Sequence, residues 1–124
     1  MSGSVVITGG CGFLGAALAK KIRENGVTLP DGQRLSNPRL HLWDCAGAVV
    51  PEIENARFAA IDIADGAEVR AQMPDDVVLI YHLAAVVSGQ AEADYDLGMR
   101  VNLGGTTAVL EAAKTVALGV PVIG

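Results

Sequence analysis

The chain has 124 residues, 51% of them apolar, and a formal net charge of −5. That length makes one domain able to bury roughly two-thirds of the surface its unfolded form exposes. The acidic balance offers no basic face for a phosphate backbone, which argues against nucleic acid as a partner.

No apolar run reaches membrane-spanning length, and no basic segment precedes an apolar one at the N-terminus, so no membrane association is expected. Two cysteines, Cys11 and Cys45, are too few for a disulfide framework and lack the clustered ligands of a zinc site. The expectation is a soluble, cytoplasmic protein without a metal.

Val5-Val6-Ile7 is a short β-branched run that ends in Thr8-Gly9-Gly10, as a buried strand running into a turn does. Phe13, Leu14, Ala17, Leu18, Lys21 and Ile22 follow at helical spacing, and Asn25-Gly26 supplies the stop. From Val27 to Pro38 the chain is rich in turn formers and reads as a surface excursion. Arg39 to Trp43 alternates into a second strand closing on Asp44, and Arg57 to Ile61 into a third closing on Asp62. Ala64 to Met73 has helical composition and stops at Pro74.

Val77 to Leu83 is the most strongly apolar segment and is read as the central strand. A small-residue loop, Ala84 to Gln90, leads into a helical pattern from about Ala91 to Ala117 that Gly104-Gly105 weakens in its middle. Val120 to Ile123 starts a further strand. Strands and helices alternating in this way give an α/β fold with a doubly wound parallel sheet.

The spacing Gly9, Gly12, Gly15 falls between a predicted strand and a predicted helix, where each glycine has a separate use. Gly9 permits the tight turn, Gly12 lets backbone approach a pyrophosphate, and Gly15 lets the helix pack closely on the strand. The helix N-terminus then directs free amides and a positive dipole end at the phosphates. This is the Rossmann dinucleotide pattern. Asp44, ending the next strand, stands where a carboxylate accepts hydrogen bonds from the adenosine ribose and repels a 2′-phosphate, which favours NAD; a strand-end turn residue is the competing reading.

Asp44 lies further from Gly15 than the roughly 20 residues usual for this motif, and the Val27–Pro38 excursion accounts for the excess. Asp62, followed by Ile63, stands either beside the adenine or as the N-cap of the helix at Ala64. Leu83-Ala84-Ala85 leaves room for a ribose at the carboxyl edge of the sheet. His82 ends an apolar strand and reads as a structural histidine before a catalytic base. Cys11 and Cys45 fall near one another on this plan, and two ordinary thiols are expected before a functional disulfide.

With these motifs in order, the chain resembles the extended short-chain dehydrogenase/reductase family, also called the NAD-dependent epimerase/dehydratase family. The resemblance rests on Thr8-Gly9-Gly10-Cys11-Gly12-Phe13-Leu14-Gly15, Asp44, Asp62-Ile63, His82-Leu83-Ala84-Ala85 and Asn102 with Gly105-Thr106. It implies NAD as cofactor, with Gly9, Gly12, Phe13, Leu14, Gly15, Asp44, Asp62, Ile63, Leu83, Ala84, Ala85 and Asn102 around it. Within the family, the run His82 to Asn102 is similar to the D-erythronate dehydrogenase branch, which implies a small sugar acid as substrate and Ser88 beside it. A flexible Ser88-Gly89 turn is the competing reading.

In complete members of the family a serine or threonine and a Tyr-x-x-x-Lys pair carry hydride chemistry. No such pair occurs in this sequence, so no catalytic residue is assigned. Residues 1–124 are accordingly expected to form the NAD-binding, N-terminal half of the Rossmann domain, ending before the catalytic segment, with self-association through an exposed sheet edge or apolar surface. A sugar-nucleotide epimerase or dehydratase, and a non-catalytic NAD(H)-binding module, are the alternative functions.

Overall fold

A computed structural model describes residues 3–83 and 121–123. Strand β1 (Ser4–Thr8) is buried along its whole length and is followed by helix α1 (Phe13–Asn25). A short hairpin, β2 (Val27–Thr28) and β3 (Arg34–Leu35), leads to β4 (Arg39–Asp44) and β5 (Ala56–Ala60). Helix α2 (Gly66–Gln72), β6 (Val77–His82) and β7 (Val122–Ile123) complete the described elements.

The main sheet has the order β5-β4-β1-β6-β7, and every pairing in it is parallel. The parallel α/β fold read from the sequence is present. Its centre is β1, however, with β6 one place outward; hydropathy marked β6 as central because it too is covered by strands on both sides.

Successive side chains of a strand point to opposite faces, and here both faces are covered. Val5 and Ile7 join Leu40, Leu42 and Leu79 against Ala19 and Ile22 of α1. Val6 joins Trp43 and Ile80 on the other face, against Val69 of α2 and the adjoining Met73. Apolar runs in β1 and β6 meet this demand, whereas β4 sets Arg39 and His41 beside its core residues Leu40 and Leu42.

Helix α1 buries the stripe Gly15, Ala19 and Ile22, whereas Phe13 and Leu14 at its start remain exposed. It ends at Gly26, whose φ of 72° suits glycine and whose amide donates to the Ile22 carbonyl at 2.7 Å.

Two expectations need correction. The Val27–Pro38 segment is more than a surface excursion, because the β2–β3 hairpin folds inward and places Val27, Leu29 and Leu35 in the α1-side core. Its turn formers build the tip while these three apolar residues anchor it. The N-cap of α2 is Asp65, not Asp62: the Asp65 carboxylate accepts from the amides of Ala67 and Glu68. Asp62 instead closes a local turn by accepting from the Ala64 amide at 3.0 Å.

At the amino edge of the sheet the buried Ser4 hydroxyl donates to Asp76 Oδ1 at 2.7 Å, and Arg39 pairs with Asp76 Oδ2 at 2.7 Å. The Ser4 hydrogen bond is the main influence that holds the Asp76 carboxyl below its ordinary range; burial opposes it, and the Arg39 charge adds a lesser lowering. A carboxyl depressed in this way binds its proton less readily folded than unfolded. Its stabilisation is complete above the unfolded value and is lost as pH falls below about 4. Thermal melts of Asp76→Asn should therefore show a less stable protein at neutral pH and a shallower loss of stability on acidification than the parent.

Removing the α2 cap should cost about 1 kcal/mol. Denaturant titration of Asp65→Ala checks this value.

Candidate functional site

The carboxyl edge of the sheet gathers the ends of β1, β4 and β6. From β1 the chain turns through Gly9, with φ 69°, a conformation that a side chain at this position would strain. The amides of Gly9 and Gly10 both donate to the Trp43 carbonyl, at 2.7 and 3.2 Å. This pins the loop to the end of β4 so closely that a Cβ on Gly10 would lie 2.8 Å from the Leu42 Cβ. Gly12 donates to the Gly9 carbonyl at 3.1 Å and caps α1 without any side-chain hydrogen bond.

Gly15 is the tightest point. A Cβ there would sit 2.2 Å from the Gly9 carbonyl oxygen and 2.8 Å from the Gly10 Cα, so helix and loop are in backbone contact. The close approach at Gly15 is to the loop residues Gly9 and Gly10, not to the strand itself.

Asp44 ends β4 half-buried, with its carboxylate turned onto the glycine loop. Oδ2 accepts from the Cys11 amide at 3.0 Å and Oδ1 from the Cys45 amide at 2.8 Å. Both cysteines are free; Cys45 is exposed and Cys11 partly so. Burial is the main influence raising the Cys11 thiol pKa, with smaller contributions from the Asp44 and Cys45 charges.

From the opposite side, the buried Thr8 hydroxyl shares a 2.7 Å hydrogen bond with His82 Nδ1 and accepts from the Leu83 amide at 3.0 Å. The Leu83 amide also donates to the Thr8 carbonyl at 3.2 Å. Burial holds the His82 pKa below the ordinary histidine value, which favours the neutral ring. Its engagement with Thr8 ties β6 to β1 and accords with a structural histidine.

The structure thus brings Gly9, Gly12, Gly15 and Asp44 together, and it leaves Phe13 and Leu14 exposed at the mouth of α1, at 89% and 68%. Asp62 is exposed in the turn after β5, while Ile63 is buried. Leu83 is held by Thr8. Ala84, Ala85, Ser88 and Asn102 lie outside the described residues.

Sequence reasoning quoted Gly10, Thr8 and Cys11 in the motif but gave none of them a bonding role of its own. The Gly9-Gly10 doublet was a usable signal for the first, since two successive glycines exceed what one tight turn needs. The bond between Thr8 and His82 joins residues far apart in sequence and left no local trace.

The description "NAD dependent epimerase/dehydratase family" belongs to the family model that matches residues 5–123. The chain belongs to this family. It is 46% identical over 114 residues to D-erythronate dehydrogenase of Cupriavidus necator, covering 90% of this chain and 34% of that protein. A D-erythronate dehydrogenase of Haemophilus influenzae is 34% identical over 112 residues, covering 89% of this chain and 33% of that protein. The chain therefore spans about a third of the length of these curated relatives.

Among solved structures, the enzyme WbmF of Bordetella bronchiseptica in complex with NAD+ superposes with a TM-score of 0.73 at 24% identity, over 94% of this chain and 33% of that one. That likeness is one of fold. Among the described residues, no helix is long and apolar enough to cross a membrane.

Gly15→Ala should separate contact from conformation when compared with Gly32→Ala. Gly32, unlike the helical Gly15, has a positive φ, 90°, but a Cβ there meets nothing within 4 Å, so only backbone strain of about 1–2 kcal/mol is expected. Gly15→Ala must move α1 off the loop and should lower the melting temperature by a larger amount in the same calorimetric series.

Proposed function

We propose that this chain binds NAD across the carboxyl edge of the sheet. We propose further that it serves as the cofactor-binding portion of an NAD-dependent dehydrogenase of a small sugar acid such as D-erythronate. The observation that carries the reading is the Asp44 carboxylate, fixed at the end of β4 by the amides of Cys11 and Cys45. Each of its oxygens retains acceptor capacity, which suits the two hydroxyls of an adenosine ribose. The same negative charge opposes the 2′-phosphate of NADP.

The residues present fit the cofactor. The glycine loop admits no Cβ at Gly15, and α1 begins without a side chain of its own over its first amides, which leaves a site for a pyrophosphate. Phe13 and Leu14 flank that site, Asp62 and Ile63 lie towards the adenine, and Leu83 leads to the nicotinamide side. The family resemblance extends the site to Ala84, Ala85 and Asn102, and to Ser88 beside the substrate.

Bound NAD supplies a two-electron acceptor for the hydride of a carbinol carbon. This chain's own part is to hold and orient that acceptor; the reading gives it no proton-transfer role. The sugar-acid substrate is supported by the relatives at 46% and 34% identity, both D-erythronate dehydrogenases. A cytoplasmic setting, where free thiols persist, belongs to the same reading.

Calorimetric titration with NAD and NADP tests the proposal. NAD should bind in clear preference. Asp44→Ala should weaken NAD about ten- to hundredfold, the size expected for losing hydrogen bonds to a charged group at roughly 1.5–3 kcal/mol. NADP affinity should change much less. Equal losses for the two cofactors would remove Asp44 from the ribose.

A further inference from the structure

We infer that Cys11 and Cys45 are a modification site: a thiol pair that closes into a disulfide over the Asp44 carboxylate and shuts the nucleotide site. The inference rests on the NAD-site reading above. Its ground is that one carboxylate binds the backbone amides of both cysteines, Oδ2 taking Cys11 at 3.0 Å and Oδ1 taking Cys45 at 2.8 Å. The shared carboxyl group sets an upper limit on the separation of the two amides, and that limit admits the Cα spacing of about 4.4–6.8 Å that a disulfide requires.

The surrounding backbone keeps them there. Gly9 and Gly10 are bonded to the Trp43 carbonyl, so the residue before Cys11 is fixed two positions before Cys45 on the facing strand end. The electrostatic influence of Cys45 on the Cys11 thiol is consistent with this proximity. Cys45 is exposed and Cys11 partly covered, which gives the pair an order of reaction.

A low-molecular-weight disulfide such as oxidised glutathione is a sufficient oxidant. The Cys45 thiolate attacks one of its sulfurs, forming a mixed disulfide and releasing one glutathione thiolate. Cys11 then loses its proton and attacks the Cys45 sulfur, expelling the second glutathione. The two protein thiols are oxidised by two electrons, and the reagent is reduced to two thiols that take up the two protons. The bridge would lie over the carboxylate that faces the ribose and would lock the glycine loop to the strand end.

The experiment treats the purified chain with oxidised glutathione, maps disulfides by mass spectrometry after proteolysis, and titrates NAD before oxidation, after it, and after re-reduction. An intramolecular Cys11–Cys45 link is expected, with NAD affinity at least tenfold weaker in the linked form and restored by reduction. In Cys45→Ala the oxidant should form no such link and should leave that variant's NAD affinity where it stood before treatment. A mixed disulfide at Cys45 alone, an intermolecular dimer, or a linked form that binds NAD as tightly as the reduced one would each overturn the inference. Failure of the reduced protein to bind NAD overturns the site reading instead, and the control of binding falls with it, whichever disulfide is mapped.

Discussion

The site depends on the docking of one loop onto one strand end. Three consecutive amides, those of Gly9, Gly10 and Cys11, are taken by β4: the first two by the Trp43 carbonyl and the third by the Asp44 side chain. These bonds fix where α1 begins, because Gly15 is then in backbone contact with Gly9. They also fix which way the carboxylate faces. The parallel register of β1 with β4, Thr8 beside Trp43, is what makes the contact possible. A one-residue slip would reverse the faces of β4 and turn Trp43 and Leu42 each into the other's core.

Much of this arrangement was legible in the residues. Strands β1 and β6 announce themselves because a sheet covered on both faces demands runs of apolar side chains, whereas β4, with Arg39 and His41 beside its leucines, was read from alternation. The glycine spacing marked the loop, and the position of Asp44 at the end of the next strand mattered more than its distance from Gly15. The hairpin shows why. Its tip takes up extra chain while Val27, Leu29 and Leu35 join the core beside α1, so the added length leaves the entry to β4 in place.

The rest was hidden for identifiable reasons. The inward fold of the hairpin is a tertiary effect: single apolar residues among turn formers show no period until a hydrophobic face is there to receive them. Asp62 and Asp65 stand three residues apart, both able to cap, and composition does not distinguish them; it is Asp65 that accepts from two amides of α2, those of Ala67 and Glu68. Strand order could not be read from hydropathy alone, since β1 and β6 are both interior strands and the longer apolar run of β6 buries fewer of its residues than β1 does. The bond from Thr8 to His82 is set by pairing across the sheet, and no local rule connects such residues.

Asp44 therefore has a structural duty before any ligand arrives. A carboxylate already gripped by two amides loses little further freedom when a hydroxyl binds to it, so the ordering cost that weakens many polar contacts has been met during folding. The same grip places the two cysteines on either side of that carboxylate. On the proposed reading, pre-organisation of a ribose acceptor and proximity of the thiols follow from one pair of hydrogen bonds, and a change that loosens either bond should be felt in both.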